Sequence, residues 1–222
     1  MTKFRLRFSK TGRAVYISHL DLMRTIQRAF LRAGYPLKYS EGFNPHAIIS
    51  ILLPLSVGTA SKCELMDFTL AADTDMSSLP EILTQAMPEG ITALEAYPVE
   101  RKGKELKWLE VEGVLEYDNR SESELAVLAE KITSFFSRDK IVISKKTKRG
   151  IGEADIAPGI KELTAFGKNG AVTVRAVISA QEPTINPDLI PEALRQLCPE
   201  IAPDFAAFTR LETFDSDMKV FR

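Results

Sequence analysis

The sequence predicts an α+β protein built as a tandem pair of ferredoxin-like modules, each running strand, helix, strand, strand, helix, strand. Three observations carry this expectation. The chain has 222 residues, enough for two modules of about 100 residues each. Stretches of period-two alternation and of helical periodicity follow one another in the same order in both halves, without visible sequence repeat. A charged stretch, RKGKELK at 101–107, interrupts the pattern and reads as a linker between a module at 1–100 and a module at 108–222.

Composition is that of an ordinary globular protein, with 45% hydrophobic and 27% charged residues. The net charge of -1 names no partner, but its distribution is uneven. Residues 1–50 carry nine Lys or Arg against two acids, a balance of +7, whereas residues 73–100 carry six acids and no Lys or Arg. A basic pole of this kind binds phosphates whatever the total charge. Cys63 and Cys198 are far apart and lack CxxC spacing, so neither a disulfide framework nor a zinc site is indicated, and a reducing cytoplasm is the expected compartment. The start, MTKFRLRFSK, lacks the apolar core of a signal peptide. The longest apolar run, 47–55, is too short for a bilayer and contains Pro54, so no membrane contact is expected.

Lys3 to Phe8 alternates, placing Phe4, Leu6 and Phe8 on one face of a strand and Lys3, Arg5 and Arg7 on a cationic outer face. SKTGR at 9–13 is a turn, and 14–17 a short extended segment. Ser18, with Asp21 three residues on, resembles a capping box and opens a helix that Gly34 and Pro36 end near Ala33. Its apolar side collects Leu22, Ile26, Ala29, Phe30 and Ala33, while Arg24, Arg28 and Arg32, four apart, form a ridge on another face. Asp21 is the one acid on the helix. The ridge reads either as solvated surface or as a phosphate-binding stripe.

The loop KYSEGFNPH at 38–46 is dense in turn formers, and its aromatics, Tyr39 and Phe43, have no evident place in a core. They either plug the end of a sheet or stack bases, with Lys38 and His46 beside them. Strands at 47–53 and 64–70, a helix at 76–87 and a strand at 91–99 complete the module.

In the second half, 108–117 alternates as a strand, and Ser121 with Glu124 forms a capping box for a helix at 121–136. A strand at 141–144 runs into the basic arm of Lys145, Lys146, Lys148 and Arg149, then a loop through GIGEADIAPGI. The arm reads as a solvated hairpin or as a phosphate tracker. Strands at 160–166 and 171–180 flank the GKNG turn, and a helix at 188–197 and a strand at 205–214 follow.

SHLD at 18–21, the RA and RAG residues of the following helix, and YSEGFNPH at 39–46 form a long, specific pattern. With KKTKRG at 145–150 and DIAPGI at 155–160, it resembles the bacterial radical SAM-associated family, a domain of unknown function found beside or fused to a radical SAM protein with a cobalamin-type domain. The resemblance rests on Ser18, His19, Asp21, Ser40, Glu41, Asn44, His46 and Asp155, and implies a radical SAM protein as partner. Ala47 and Ala157 depart from the pattern, the latter where an Arg is usual. The chain has no CxxxCxxC triad and so no ligands for a cluster of that enzyme's kind.

Three functions compete. In the first, the chain is a non-catalytic RNA-binding or substrate-presenting partner of the radical SAM enzyme, using Arg5, Arg7, the Arg24, Arg28, Arg32 ridge, Lys38, Tyr39, Phe43 and the basic arm. In the second it is a metal-independent endoribonuclease with His19 or His46 as base and Tyr39 or Lys38 assisting, a reading favoured by the similarity of tandem ferredoxin-like modules to RNA-processing endoribonucleases. The third is a protein-interaction adaptor that docks through 73–100. His19 with Asp21, or His46 with Glu41, are pairs at best, so no metal and no cofactor is expected.

Overall fold

The computed structural model describes residues 2–147 and 150–222. The chain divides into two compact units, one reaching to Gly103 and taking in Arg222, the other Lys104–Phe221. Helices and antiparallel sheet are mixed in both, so the protein is α+β. Among the described residues no helix is long and apolar enough to cross a membrane.

The first unit comprises β1 (Phe4–Lys10), α1 (His19–Arg32), β2 (Ile49–Ile51), β3 (Ala60–Phe68), α2 (Leu79–Ala86) and β4 (Ile91–Pro98). Its sheet has the order β4-β1-β3-β2, antiparallel at every step. Leu6 and Phe8 of β1 and Met66 and Phe68 of β3 pack with Leu22, Ile26, Ala29 and Phe30 of α1 and with Leu79 and Leu83 of α2. Phe30 and Phe68 meet with ring centroids 4.9 Å apart. Burying one such side chain contributes about 1.5–3 kcal/mol, so the apolar stripe of α1 fixes which of its faces is left to solvent.

The cationic outer face expected of β1 is corrected at Arg5, which is fully buried. Its Nε donates to Asp67 Oδ1 at 2.7 Å, and its Nη2 to Asp67 Oδ2 at 3.3 Å and to the Arg101 carbonyl at 2.9 Å. Period two placed Arg5 opposite the apolar face but carried no information on what covers that side. Lys3 Nζ reaches the same carboxylate at 2.8 Å. Gly12–Tyr16, expected as a turn and an extended segment, is a 3-10 helix. The second helix begins at Leu79 because the Asp75 carboxylate binds the Ser77 N–H at 2.9 Å, holding a turn ahead of Pro80. β3 starts earlier than expected, at Ala60, and β2 is only three residues long.

Gly90, at φ +88°, ties the strand β4 to the 3-10 helix: its carbonyl accepts the Thr11 N–H at 2.8 Å, and a Cβ there would lie 2.4 Å from the Thr11 carbonyl oxygen. Gly90→Ala is expected to destabilise the protein by about 1–3 kcal/mol, read as a lower urea midpoint at unchanged slope.

The second unit comprises β5 (Trp108–Glu116), α3 (Glu122–Phe136), β6 (Val142–Thr147), β7 (Gly150–Asp155), β8 (Ile160–Lys168), β9 (Ala171–Ser179), α4 (Leu189–Leu197) and β10 (Phe205–Phe214). Its sheet has the order β10-β5-β9-β8, again antiparallel throughout, while β6 and β7 pair apart from it. The α3 capping box is present, with Ser121 N–H donating to Glu124 Oε2 at 2.9 Å and Glu124 N–H to Ser121 Oγ at 3.3 Å. Its inner face is Leu125, Leu128, Ile132, Phe135 and Phe136. Gly113 lies opposite Phe208, whose ring occupies the space a Cβ would need.

GIGEAD, expected as loop, is strand β7, and the Ala157–Gly159 segment that follows is a 3-10 turn. Gly150 and Gly152 leave the strand without the alternating apolar residues that would have marked it, and the ladder to β6 supplies its pairing instead. Asp155 closes the base of this hairpin, its Oδ1 accepting from the Ile141 N–H at 2.9 Å and the Ala157 N–H at 3.1 Å. Gln196 of α4 holds the other side, bonding both the N–H and the carbonyl of Ser144.

Candidate nucleic-acid interface

The site is built from the solvent side of α1 and the loop that follows. Ser18 caps the helix by accepting the Asp21 N–H at 3.2 Å, and its hydroxyl donates to Asp21 Oδ2 at 2.7 Å, so Asp21 takes the hydroxyl where a capping-box Glu would take the backbone N–H. The Ser18 hydroxyl, and after it the Arg24 guanidinium, hold the Asp21 carboxyl below its ordinary pKa. Arg24 Nη1 lies 3.1 Å from Asp21 Oδ1. Arg32 donates to the Ala86 carbonyl at the end of α2. Arg28 is therefore the member of the ridge that, among the described residues, has neither a carboxylate nor a carbonyl partner, and it is exposed.

The loop is closed at its base and open at its tip. Lys38, half-buried, donates its N–H to the Thr69 carbonyl and accepts from the Ile48 N–H, both at 2.8 Å, and Tyr39 bridges Ala47. Above this, the Ser40 N–H donates to the His46 carbonyl at 2.8 Å, the His46 N–H to Ser40 Oγ at 3.1 Å, and Ser40 Oγ lies 3.0 Å from His46 Nδ1. Ser40 and His46 thus act as a clamp, which accounts for both motif residues structurally. Glu41, Gly42, Phe43, Asn44 and Pro45 stand out from the clamp in solvent, and the Phe43 side chain is fully exposed. The aromatics do not plug the sheet.

Arg28 and the loop base meet in one cleft, lined by Gln27, Arg28, Leu31, Pro36, Leu37 and Tyr39. Two features of this surface were missed from the sequence. Leu20 and Leu31 are 64% and 72% exposed, interleaved with Arg24 and Gln27 at helical spacing. Placing Leu22, Ile26, Ala29 and Phe30 inward leaves these leucines outside, so the periodicity held the signal. Pro36 and Gln27 also enter the cleft, and nothing in their residue types marked them.

The remaining site residues are dispersed. His19, exposed, is the first residue of α1, about 13 Å along the helix from Arg28 at ~1.5 Å per residue. Among the described residues no three His, Cys, Asp or Glu side chains are grouped as a metal site requires. Arg7 is partly exposed and pairs with Glu95 at 3.1 Å. Lys145 lies on β6, half-buried. Of the rest of the basic arm, the Lys146 side chain and all of Lys148 and Arg149 lie outside the described residues.

Among curated proteins none matches this chain. Of solved structures, an unknown protein from Galdieria sulphuraria is similar at 8% identity, with a TM-score of 0.28 over 94% of this chain and 98% of that one. Another, described as a "putative glycine cleavage system transcriptional repressor", is similar at 10% identity and a TM-score of 0.24, with the same coverages. At these scores neither likeness bears on fold or function. Residues 3–187 match the model of a family described as an uncharacterized protein conserved in bacteria (DUF2344), and with that share of its 222 residues matched, the chain belongs to that family.

Proposed function

We propose that the protein is a non-catalytic RNA-binding, substrate-presenting partner of a radical SAM enzyme, and that each unit is a ferredoxin-like module. The module reading is supported by the two strand orders, β4-β1-β3-β2 and β10-β5-β9-β8, with the β6–β7 hairpin as an insertion in the second. The enzyme partnership rests on the SHLD and YSEGFNPH resemblance. RNA binding is supported chiefly by the cleft in which Arg28, without a carboxylate or carbonyl partner among the described residues, meets Tyr39, below a loop tip that holds Phe43 in solvent. A guanidinium beside an exposed ring serves a single strand, where phosphates need cations and unstacked bases need aromatic faces.

Binding to single-stranded RNA across a salt series tests this reading. The Arg24→Ala/Arg28→Ala variant is expected to bind more weakly, with the slope of log affinity against log salt shallower by about 0.7 for each phosphate the protein no longer neutralises. Arg32 is left in place because it holds α2. Weak binding with a flat slope in wild type, unchanged in the variant, would sink the proposal.

A protein-interaction adaptor is the second reading, favoured by the exposed Leu20 and Leu31, which RNA does not require. All six acids of 73–100 are also exposed and form a pole for a basic partner. This reading expects the leucines, and not the arginines, to govern complex formation.

A further inference from the structure

We propose that the first unit carries a binding site for a phosphate group on the face of its sheet opposite the α1–α2 core, built by Arg7 and Tyr97. Leu6 and Phe8 point into the core formed with the helices, so Arg5 and Arg7, which alternate with them, belong to the other face. In the ladder to β4, Arg5 stands opposite Tyr97 and Arg7 opposite Glu95, which makes Tyr97 the diagonal neighbour of Arg7 on that face. β4 is an edge strand, and the Arg7 side chain remains 20% exposed, so a ligand has an approach from the edge.

Among the described residues, Arg7 Nε and Tyr97 Oη are buried and have no hydrogen-bond partner in the protein. Buried donors in this state are rare and call for an acceptor from outside the chain. The rest of the face is already engaged: Lys3 and Arg5 on Asp67, and Arg7 Nη1 on Glu95. Burial raises the Tyr97 pKa, which the Arg5, Arg222 and Arg7 guanidiniums partly oppose, so the phenol stays a donor at neutral pH.

Two buried donors without a partner among the described residues, beside guanidiniums, select an acceptor and not a cation. Phosphate fits, because its several oxygens accept from N–H and O–H together, with charge-assisted bonds to a guanidinium. The site shares no residue with the α1 cleft, the surface on which the proposed function chiefly rests.

The test is thermal unfolding of the full chain in increasing inorganic phosphate, with ionic strength held constant by chloride, for wild type, Tyr97→Phe and Arg7→Lys. Wild type is expected to gain about 3–6 °C in Tm when phosphate stands about ten-fold above its dissociation constant. Both variants should gain less than half of that. In chloride alone Tyr97→Phe should unfold no lower than wild type, because it removes a buried donor that nothing in the protein accepts. A rise equal in all three proteins, the general effect of an excluded anion, would overturn the site, as would no rise in wild type. Arg24→Ala/Arg28→Ala should keep the full phosphate response, which separates this inference from the function proposed above. Given a selective rise, a nucleoside monophosphate and a short single-stranded RNA in place of inorganic phosphate distinguish a free ligand from a strand backbone.

Discussion

Replacing Asp67 with Ala is expected to cost about 3–5 kcal/mol of stability, the loss found when one partner is removed from a buried ion pair. Asp67 is buried, accepts two bonds from the fully buried Arg5 and pairs with Lys3 as well. Its removal leaves the Arg5 charge in the interior without the Asp67 carboxylate, while the Arg101 carbonyl still accepts from Nη2. The ion pair itself contributes little, because desolvation offsets most of its attraction, so the two removals should differ sharply. Arg5→Met with Asp67→Leu together is expected to restore most of the stability that Asp67→Ala loses. Urea unfolding at constant slope measures both. A loss below about 1 kcal/mol in the single variant would show that Arg5 finds water or another acceptor and does not depend on Asp67.

The second large effect is expected at the loop. Each base stacked on an aromatic side chain is worth about 1–3 kcal/mol, so Tyr39→Ala/Phe43→Ala should lower affinity for single-stranded RNA by about 30-fold or more. Stability should barely change. Phe43 touches solvent on all sides, and Tyr39 contributes to the loop base through a backbone bridge that alanine keeps. The clamp of Ser40 and His46 is built from residues the variant leaves in place. If the double variant binds RNA like wild type yet loses a protein partner, the adaptor reading takes the surface.

Much of the local structure was legible because short-range chemistry decides it. Ser121 and Glu124 mark a helix start by themselves, and the Leu22, Ile26, Phe30 spacing fixes the inner face of α1 whatever packs against it. Arg5 failed for the opposite reason: its burial depends on Asp67, 62 positions away, and on the Arg101 carbonyl, neither of which leaves a trace in the alternation of β1. β7 was invisible because its glycines carry no periodicity, while its pairing is fixed by the backbone of β6. At the site, the exposed rings and the basic ridge could be named from residue type. Their convergence at Arg28 and Tyr39, and the demotion of Arg32 to a contact with α2, required the path of the chain.

The strand orders also bear on how the protein is made. In each unit the first strand lies beside the last: β1 pairs with β4, and β5 with β10. A ribosome releasing the chain from its N-terminus supplies β4 only when nearly all of the first unit is out, and β10 only after every other strand of the second. Neither sheet can therefore close gradually as it emerges, and each is completed in a late step by its final strand. The first unit has all of its strands by Pro98, so its sheet can close while the second is still incomplete, with Arg222 joining that unit afterwards. The two sheets would then close one after the other during synthesis, with unpaired β5 the edge longest in need of shielding.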